Sequence, residues 1–404
     1  MSDARTIAEE TARASYGRLI AFLSARTRDI AAAEDALGDA FTAALVHWPQ
    51  KGVPDAPEAW LLTAARRKLI DNARRSATRR ESEPSLLLAI EEAEAVAGEK
   101  LFADERLKLL FICAHPAIDA AIRTPLMLQT VLGLDAARIA SAFLISPATM
   151  SQRLVRAKRK ISASGIPFEA PSAAEFSARA DAVLDAIYAA FSVGYDDNRG
   201  DEPLAAEALF LARLAAGLLP GNAEAQGLLA LLLYIDARRE ARRRDGVYVP
   251  LDEQETMLWN QDQIDAADEA LGRAAACCTP GRYQYEAAIQ SAHIASRLGE
   301  EETRGAIVHL YDRLIAIAPS IGAEIGRAAA LIKAGRVGDG VSALDAIDET
   351  RIASHQPYWA TRARALKEVG NEEEARAAYQ RAIGLSADAA AREFLRRQMT
   401  FAIR

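Results

Sequence analysis

The sequence is poor in the residues that build disulfide frameworks, zinc sites and β-rich cores. It has three cysteines in 404 residues, Cys113, Cys277 and Cys278, and none belongs to a CxxC or Cys/His spacing suited to zinc. Only 6% of the residues are aromatic, Ala and Leu are abundant and β-branched runs are scarce, which favours helices over sheets. We therefore predict an all-α protein without disulfides, metals or other cofactors.

Signals for export or membrane insertion are also missing. Residues 1–5 lack the basic and apolar stretches of a signal peptide, and the longest apolar run, Leu228 to Ile235, is too short to span a bilayer. The odd, sparse cysteine count suits a reducing compartment. We expect a cytoplasmic protein with no membrane partner.

The residues of common catalytic sites do not occur in usable patterns. There is no Gly-rich loop of the kind that cradles nucleotide phosphates, and the histidines do not show the spacing of a metal site or a catalytic dyad. Each histidine is better explained as a structural residue: His47, His115, His293, His309 and His355. We predict that the chain is not an enzyme.

Charge is distributed unevenly along a chain whose formal net charge is −7. Residues 1–165 contain 23 Lys and Arg against 20 Asp and Glu, whereas residues 166–404 contain 26 against 36. A basic front third within an acidic chain indicates a polyanion partner for the front third alone.

The front third opens with an acidic-faced helix followed by a basic one. Apolar residues recur at helical spacing from Asp29 to Leu45 and leave Asp35 and Asp39 on the opposite side. The stretch from His47 to Pro57 contains three prolines and a glycine, which predicts a loop. A helix from Glu58 onward then carries the basic face, and seven basic residues against one acid fall between Arg66 and Arg80.

The first basic helix has two interpretations. A solvated amphipathic helix is the simpler one, but the lack of alternating charge signs favours phosphate contact. Arg66 lies near the apolar stripe and is a candidate for a structural ion pair. Trp60 either fills the core or offers a surface on which an unstacked base can stack.

A second basic helix lies inside a predicted helix-turn-helix. Ser146 is a good N-cap and Pro147 suits the first helical position. The residues that recur every three or four positions should face inward, and they are Met150, Leu154, Ala157 and Ile161. Exposed Gln and Arg side chains on such a helix are of the types that read base edges in a major groove. An ordinary helical hairpin with a basic surface is the alternative.

The remainder is predicted to be a series of helical hairpins. Pro and Gly interrupt the helical pattern regularly after residue 172, which is typical of stacked repeats. The clearest copy resembles the tetratricopeptide pattern and comprises Trp359, Ala363, Leu366, Gly370, Ala375, Tyr379 and Ala382. A looser copy, 35 residues earlier at the glycine, comprises Ala328, Leu331, Gly335, Leu344 and Ile347.

The order of these features resembles a bacterial RNA polymerase sigma factor of the sigma-70 class. The resemblance rests on the acidic-faced helix, the Pro-rich loop, Trp60-Leu61 with Ile70-Asp71, and the basic end of the helix-turn-helix. Within that class the chain is similar to the extracytoplasmic-function (ECF) group, in the subset with a long tetratricopeptide-like extension. The implied domains are a region 2-like domain at 1–78, an acidic linker at 79–103, a region 4-like helix-turn-helix domain at 104–166 and the extension at 172–404.

The resemblance implies the partners and the residues that meet them. Core RNA polymerase would be bound through its β′ clamp helices and its β subunit, with Asp35 and Asp39 docking on the clamp helices. Promoter DNA would be met at the −10 region by Trp48, Trp60, Arg67, Lys68, Arg74 and Arg75. At the −35 region it would be met by Ser146, Thr149, Gln152, Arg153, Arg156, Lys158 and Arg159.

Two alternatives from other classes remain at this stage. A one-component transcription regulator would use the helix-turn-helix for operator binding and the repeats as a sensor, but it leaves the acidic helix and Trp60 unused. A purely structural repeat scaffold leaves both basic helices unexplained. Under the sigma-factor interpretation the extension is expected to regulate activity, through an intramolecular contact or a protein partner.

Overall fold

The computed structural model describes residues 2–77, 101–143, 145–166, 168, 173–196, 202–299 and 303–400. Regular structure in this part of the chain is almost entirely helical, so the predicted all-α class is confirmed. The chain divides into two compact units, residues 1–218 and 219–404, which we call the front unit and the rear unit.

The described part of the front unit consists of helices. In chain order they are α1 (Ser2–Thr27), α2 (Ile30–Lys51), α3 (Pro57–Ala77), α4 (Leu101–Cys113), α5 (Ala120–Thr130), α6 (Ala136–Ala142), α7 (Pro147–Ala163), α8 (Ala173–Asp196) and α9 (Glu202–Leu218). The predicted acidic linker at 79–103 falls largely outside the described residues, and α4 begins three residues before the expected domain start at 104.

The acidic-faced helix α2 is longer than predicted. Asp29 caps it by accepting a hydrogen bond from the Ala32 amide, and the helix continues through Pro49 to Lys51. A proline this close to the end removes one hydrogen bond from the last turn and does not break the helix body. Gly52 then ends α2 with a φ of 88°. The predicted loop from 47 to 57 therefore shrinks to residues 52–56.

Helices α6 and α7 follow each other with a short connection, at the place of the predicted helix-turn-helix. The Ser146 hydroxyl accepts a 3.1 Å hydrogen bond from the Thr149 amide, so the predicted N-cap of α7 is confirmed. Every side chain predicted to face inward on α7 is buried: Met150, Leu154, Ala157 and Ile161. Burial of this apolar stripe fixes which side of α7 remains available to solvent.

Helices α8 and α9 pack with the front unit, although the sequence placed them in the repeat extension. Arg179 on α8 donates a 3.3 Å hydrogen bond to the Phe111 carbonyl of α4. Arg106 on α4 pairs with Glu207 on α9, and its guanidinium lies 4.8 Å from the Phe210 ring centroid. The compact boundary therefore follows Leu218 and does not lie near residue 170.

The rear unit is built from helical pairs. Its helices are α10 (Ala223–Asp236), α11 (Gln261–Ala276), α12 (Arg282–Arg297), α13 (Thr303–Ile317), α14 (Ile321–Lys333), α15 (Val337–Asp345), α16 (Glu349–Ile352), α17 (Gln356–Glu368), α18 (Glu372–Leu385) and α19 (Ala389–Thr400). In the clearer predicted repeat, Ala363, Ala375 and Ala382 are fully buried between α17 and α18. Gly335 and Gly370 turn their hairpins with φ angles of 80° and 82°.

One element of the rear unit was not predicted. Strands β1 (Arg243–Arg244) and β2 (Val247–Tyr248) form a two-residue antiparallel hairpin after α10. Asp245 and Gly246 have φ angles of 52° and 73°, and positive φ at both central residues is what a type I′ turn requires. Asp-Gly is a strong hairpin signal, so this turn was visible in the sequence.

Candidate polymerase and nucleic-acid interface

The acidic face of α2 is available at the surface. Asp35 and Asp39 are both exposed, one turn apart, on the side opposite the buried stripe of the helix. The Lys68 ammonium of α3 lies 3.0 Å from Asp39 Oδ2, with both side chains about half exposed. An ion pair this open to water contributes little stability, so Asp39 remains accessible to a cationic partner.

An aromatic cluster forms where α2 ends and α3 begins. The Trp48 and Trp60 ring centroids lie 5.7 Å apart in an edge-to-face arrangement, and His47 lies 6.4 Å from Trp60. Trp48 is only 2% exposed, whereas Trp60 is half-buried. The expectation that Trp48 contacts DNA does not fit this position, because its ring is packed into the core. Part of the Trp60 ring remains exposed to solvent.

The two tryptophans should respond differently to truncation. Trp48→Ala is expected to lower the free energy of unfolding by about 3–5 kcal/mol, the usual range for a buried Trp. Trp60→Ala should cost clearly less, because part of that ring already contacts water. Urea unfolding of the full chain measures both. Trp48→Phe is the matched control and should lose little, since Trp48 Nε1 has no hydrogen-bond partner within the described part of the chain. Equal losses in both alanine variants would contradict the assignment.

The basic face of α3 is oriented by contacts of its first turns. Glu58 accepts hydrogen bonds from the Ser15 hydroxyl and, at 2.5 Å, from Arg18 Nη2 of α1. The sequence analysis did not predict these contacts. The signal that could have indicated them was Glu58, an acid in the first turn of a helix. The Arg66 guanidinium lies 4.8 Å from the Phe22 ring centroid, which places Arg66 against the core.

Of the predicted DNA-facing cations on α3, Arg67 is exposed and Lys68 half-exposed. Arg74 and Arg75 lie in the last turns of α3, and their side chains fall outside the described part. The described part of α3 therefore presents the exposed cation of Arg67 and the partly exposed ring of Trp60.

The solvent-exposed side of α7 carries most of the residues that were predicted to contact the −35 region. Its solvent-exposed members are Thr149, Gln152, Arg153, Arg156 and Arg159. Two side chains of the predicted set have other roles. Ser146 is exposed but is used as the N-cap, with its hydroxyl 2.8 Å from that of Thr149. Lys158 is buried.

The position of Lys158 corrects its assignment as a DNA contact. Its ammonium lies 2.5 Å and 2.7 Å from the two carboxylate oxygens of Glu34 on α2. The Lys158 and Glu34 side chains are 9% and 18% exposed. A sequence pattern could not reveal this partner, because 124 residues separate the two positions.

Other kinds of site receive no support from the described residues. They contain no group of three or more His, Cys, Asp or Glu that could hold a metal ion. None of the helices searched there combines the length and apolar character required to cross a membrane. Cys113 is buried, which raises the pKa of its thiol to about 12 and makes it a poor nucleophile at neutral pH.

Comparison with known proteins connects this geometry to a family. Residues 12–80, which cover most of α1 and all of α2 and α3, match sigma-70 region 2, and residues 179–275 match a family of unknown function (DUF6596). An uncharacterized protein of Rhizobium meliloti (strain 1021) is 35% identical over 382 residues, which cover 92% of this chain and 90% of that protein. No solved structure matches. The chain belongs to the same family as this relative, and it contains a segment that matches sigma-70 region 2.

Proposed function

We propose that the chain is an RNA polymerase sigma factor of the ECF group, which binds core polymerase in the cytoplasm and selects promoters without catalysing a reaction. One observation carries the proposal. The segment that matches region 2 presents an exposed acidic face on α2, and the same compact unit holds a helix-turn-helix with exposed arginines on α7. A one-component regulator would need only the second of these surfaces.

Docking on polymerase would use the acidic face of α2. Asp35 and Asp39 would meet the basic surface of the β′ clamp helices, since complementary charge speeds encounter and fixes orientation. Both carboxylates are exposed in the free chain, so docking does not require a charged group to be uncovered first.

Promoter DNA would be held at two places. At the −10 region the half-buried Trp60 would stack with an extruded base, which is worth about 1–3 kcal/mol and offsets part of the unpairing energy. Arg67 would hold the adjacent backbone. At the −35 region α7 would enter the major groove, with Gln152 and Arg153 facing base edges and Arg156 and Arg159 near phosphates.

The rear unit would regulate this activity as a tetratricopeptide-like extension. The pair α14–α15 buries Ala328 with Ile332 and Leu344, and the pair α17–α18 buries the alanines of the clearer repeat. Stacked helical pairs of this kind form surfaces that bind peptides. The proposed partner is therefore a protein segment, from this chain or from another protein.

The decisive test is association with core polymerase. The full chain should co-purify with core, and exchanging Asp35 and Asp39 for lysine should weaken binding by tenfold or more, about 1.4 kcal/mol. Because Asp39 also pairs with Lys68, Asp35→Lys alone is a second arm. Circular dichroism should show that both variants remain helical.

A matched control separates docking from a general charge effect. Asp181 and Asp185 are exposed on α8 with the same spacing of four residues in the same unit. Exchanging both for lysine changes the net charge equally and should leave binding intact. Failure of the unaltered chain to bind core would refute the proposed function. Equal effects of the two double variants would refute the docking face alone.

A further inference from the structure

The connection between α10 and α11 departs from the repeat pattern of the rear unit. Residues 334–336 and 369–371 are enough to join the pairs α14–α15 and α17–α18, whereas residues 237–260 join α10 and α11. The Asn260 amide donates a 2.9 Å hydrogen bond to the Ala237 carbonyl, so the two ends of the long connection meet. Connections within helical pairs usually have only a few residues, and much longer ones commonly have a function.

Part of this connection contacts the ends of helices from the next two pairs. We call this part, residues 249–258, the insert. The Arg297 guanidinium, in the last turn of α12, donates a 2.9 Å hydrogen bond to the Gln254 carbonyl. The Lys333 ammonium, at the end of α14, pairs with the Asp252 carboxylate. Cations from two successive helical pairs therefore bind the insert.

The insert has the character of a bound acidic peptide. It forms neither an α-helix nor a strand, and its regular structure is limited to two short 3-10 turns. Its acidic residues Asp252, Glu253 and Glu255 are exposed, whereas Val249 and Gln254 are buried. Repeat proteins bind peptides on surfaces that successive helical pairs share. The insert occupies a surface of this kind within its own chain.

Polar atoms around the insert are incompletely paired. Gln254 and the following Trp259 are 5% and 8% exposed, yet Gln254 Oε1 and Trp259 Nε1 have no hydrogen-bond partner within the described residues. The same is true there of Arg297 Nε and of Nδ1 of His293, one turn earlier on α12. A buried donor or acceptor without a partner costs about 1–3 kcal/mol. The insert therefore leaves binding energy unused, and a segment that supplied these partners would bind more tightly.

We propose that the last turns of α12 and α14 form a binding site for an acidic, extended segment of a partner protein, and that the insert occupies this site in the free chain. The partner segment presents a carboxylate to Lys333 and a main-chain carbonyl to Arg297, as the insert does. It must displace the insert, whose tether gives it an effective concentration on the order of millimolar. The proposal names the partner class for the rear unit and rests on the proposed function only for the effect on transcription.

The test measures peptide binding to the full chain in the absence of polymerase. The probe is a fluorescent synthetic peptide with the sequence of residues 249–258, and its anisotropy reports binding. In the receptor chain, an equal number of Gly and Ser residues replaces residues 251–258, which keeps the buried Val249 and Trp259. This chain should bind the probe at least about tenfold more tightly than wild type, in which the tethered insert competes. A probe of the same composition in scrambled order should bind more weakly.

A charge exchange tests the site itself. Lys333→Glu in the receptor chain should weaken probe binding by about fivefold, since the pair is partly exposed, and a probe carrying Asp252→Lys should recover most of the loss. Arg376→Glu makes the same charge change at an exposed position of the rear unit and should leave binding unchanged. If the replacement of residues 251–258 prevents folding, Asp252→Lys in the otherwise intact chain is the second receptor. Its repulsion from Lys333 should loosen the insert and strengthen binding of the unaltered probe.

The outcomes separate the binding site from the proposed function. Equal probe affinity for wild type and both receptor chains, or no binding to a receptor chain that circular dichroism shows to be folded, overturns the site. Equal losses in the Lys333→Glu and Arg376→Glu chains also overturn it. A chain that binds the probe as expected but never binds core polymerase supports the site and refutes the proposed function.

Discussion

Gly17→Ala is expected to lower the free energy of unfolding of the front unit by about 3 kcal/mol, the upper end for overpacking. A Cβ on Gly17 of α1 would overlap the backbone carbonyl oxygen of Val131, which follows α5. Backbone cannot move aside as a flexible side chain can. Nearby Gly133 has a φ of 69° and would place its own Cβ 3.3 Å from the Tyr16 ring, so the two segments approach closely on both sides.

A second glycine provides the control. Gly38 lies inside α2, and a Cβ there would meet nothing within 4 Å. Gly38→Ala should therefore stabilise the chain by about 0.5–1 kcal/mol through reduced backbone entropy. Chemical denaturation of full-length variants gives both values. If the two substitutions changed stability by similar amounts, close packing between α1 and the segment after α5 would be disproved.

Replacing Arg153, Arg156 and Arg159 together with alanine should abolish promoter-directed transcription by the chain with core polymerase. All three side chains are exposed on α7. Loss of the two phosphate contacts proposed for Arg156 and Arg159 should also reduce the slope of log binding constant against log salt by about 1.8. A promoter selected from a randomised pool serves for both measurements, and the fold should be unaffected because the buried stripe of α7 is unchanged.

The control removes the same charge elsewhere. Arg376, Arg396 and Arg397 are exposed on helices of the rear unit. Alanine at these three positions should leave transcription and the salt dependence close to wild type. If this variant lost as much as the α7 variant, net charge would explain the effect and α7 would have no special role in DNA recognition.

The local pattern was sufficient to predict much of this molecule. The inward stripe of α7, its Ser146 cap and the exposed Asp35 all follow from helical periodicity and capping chemistry, which act within a few residues. The predicted end of α2 was wrong because Pro49 was interpreted as a helix breaker. A proline in the final turn of a helix lowers the stability of the helix only slightly. The Asp245-Gly246 turn was missed despite a clear signal.

Other features depended on partners distant in sequence. Lys158 follows the inward-facing Ala157, so periodicity alone left its direction undecided, and Glu34 settled it from 124 residues away. Trp48 was assigned to a loop and is buried beside Trp60 once α2 extends past it. A domain boundary was expected near residue 170, where Pro and Gly begin to interrupt the helical pattern. Helices α8 and α9 cross that position and pack against α4, so the compact unit ends at Leu218.

The position of that boundary determines how the protein can be recombined. A chimera that exchanged the C-terminal part after the helix-turn-helix would remove α8 and α9 and uncover the Phe111 carbonyl and Arg106, whose partners they provide. Such a hybrid would lack the helices that cover α4, so a loss of activity could not be assigned to the exchanged segment itself. A join between Leu218 and the start of α10 keeps each compact unit whole. It divides the segment 179–275 that matches the family of unknown function, so both sides of that segment should come from the same parent.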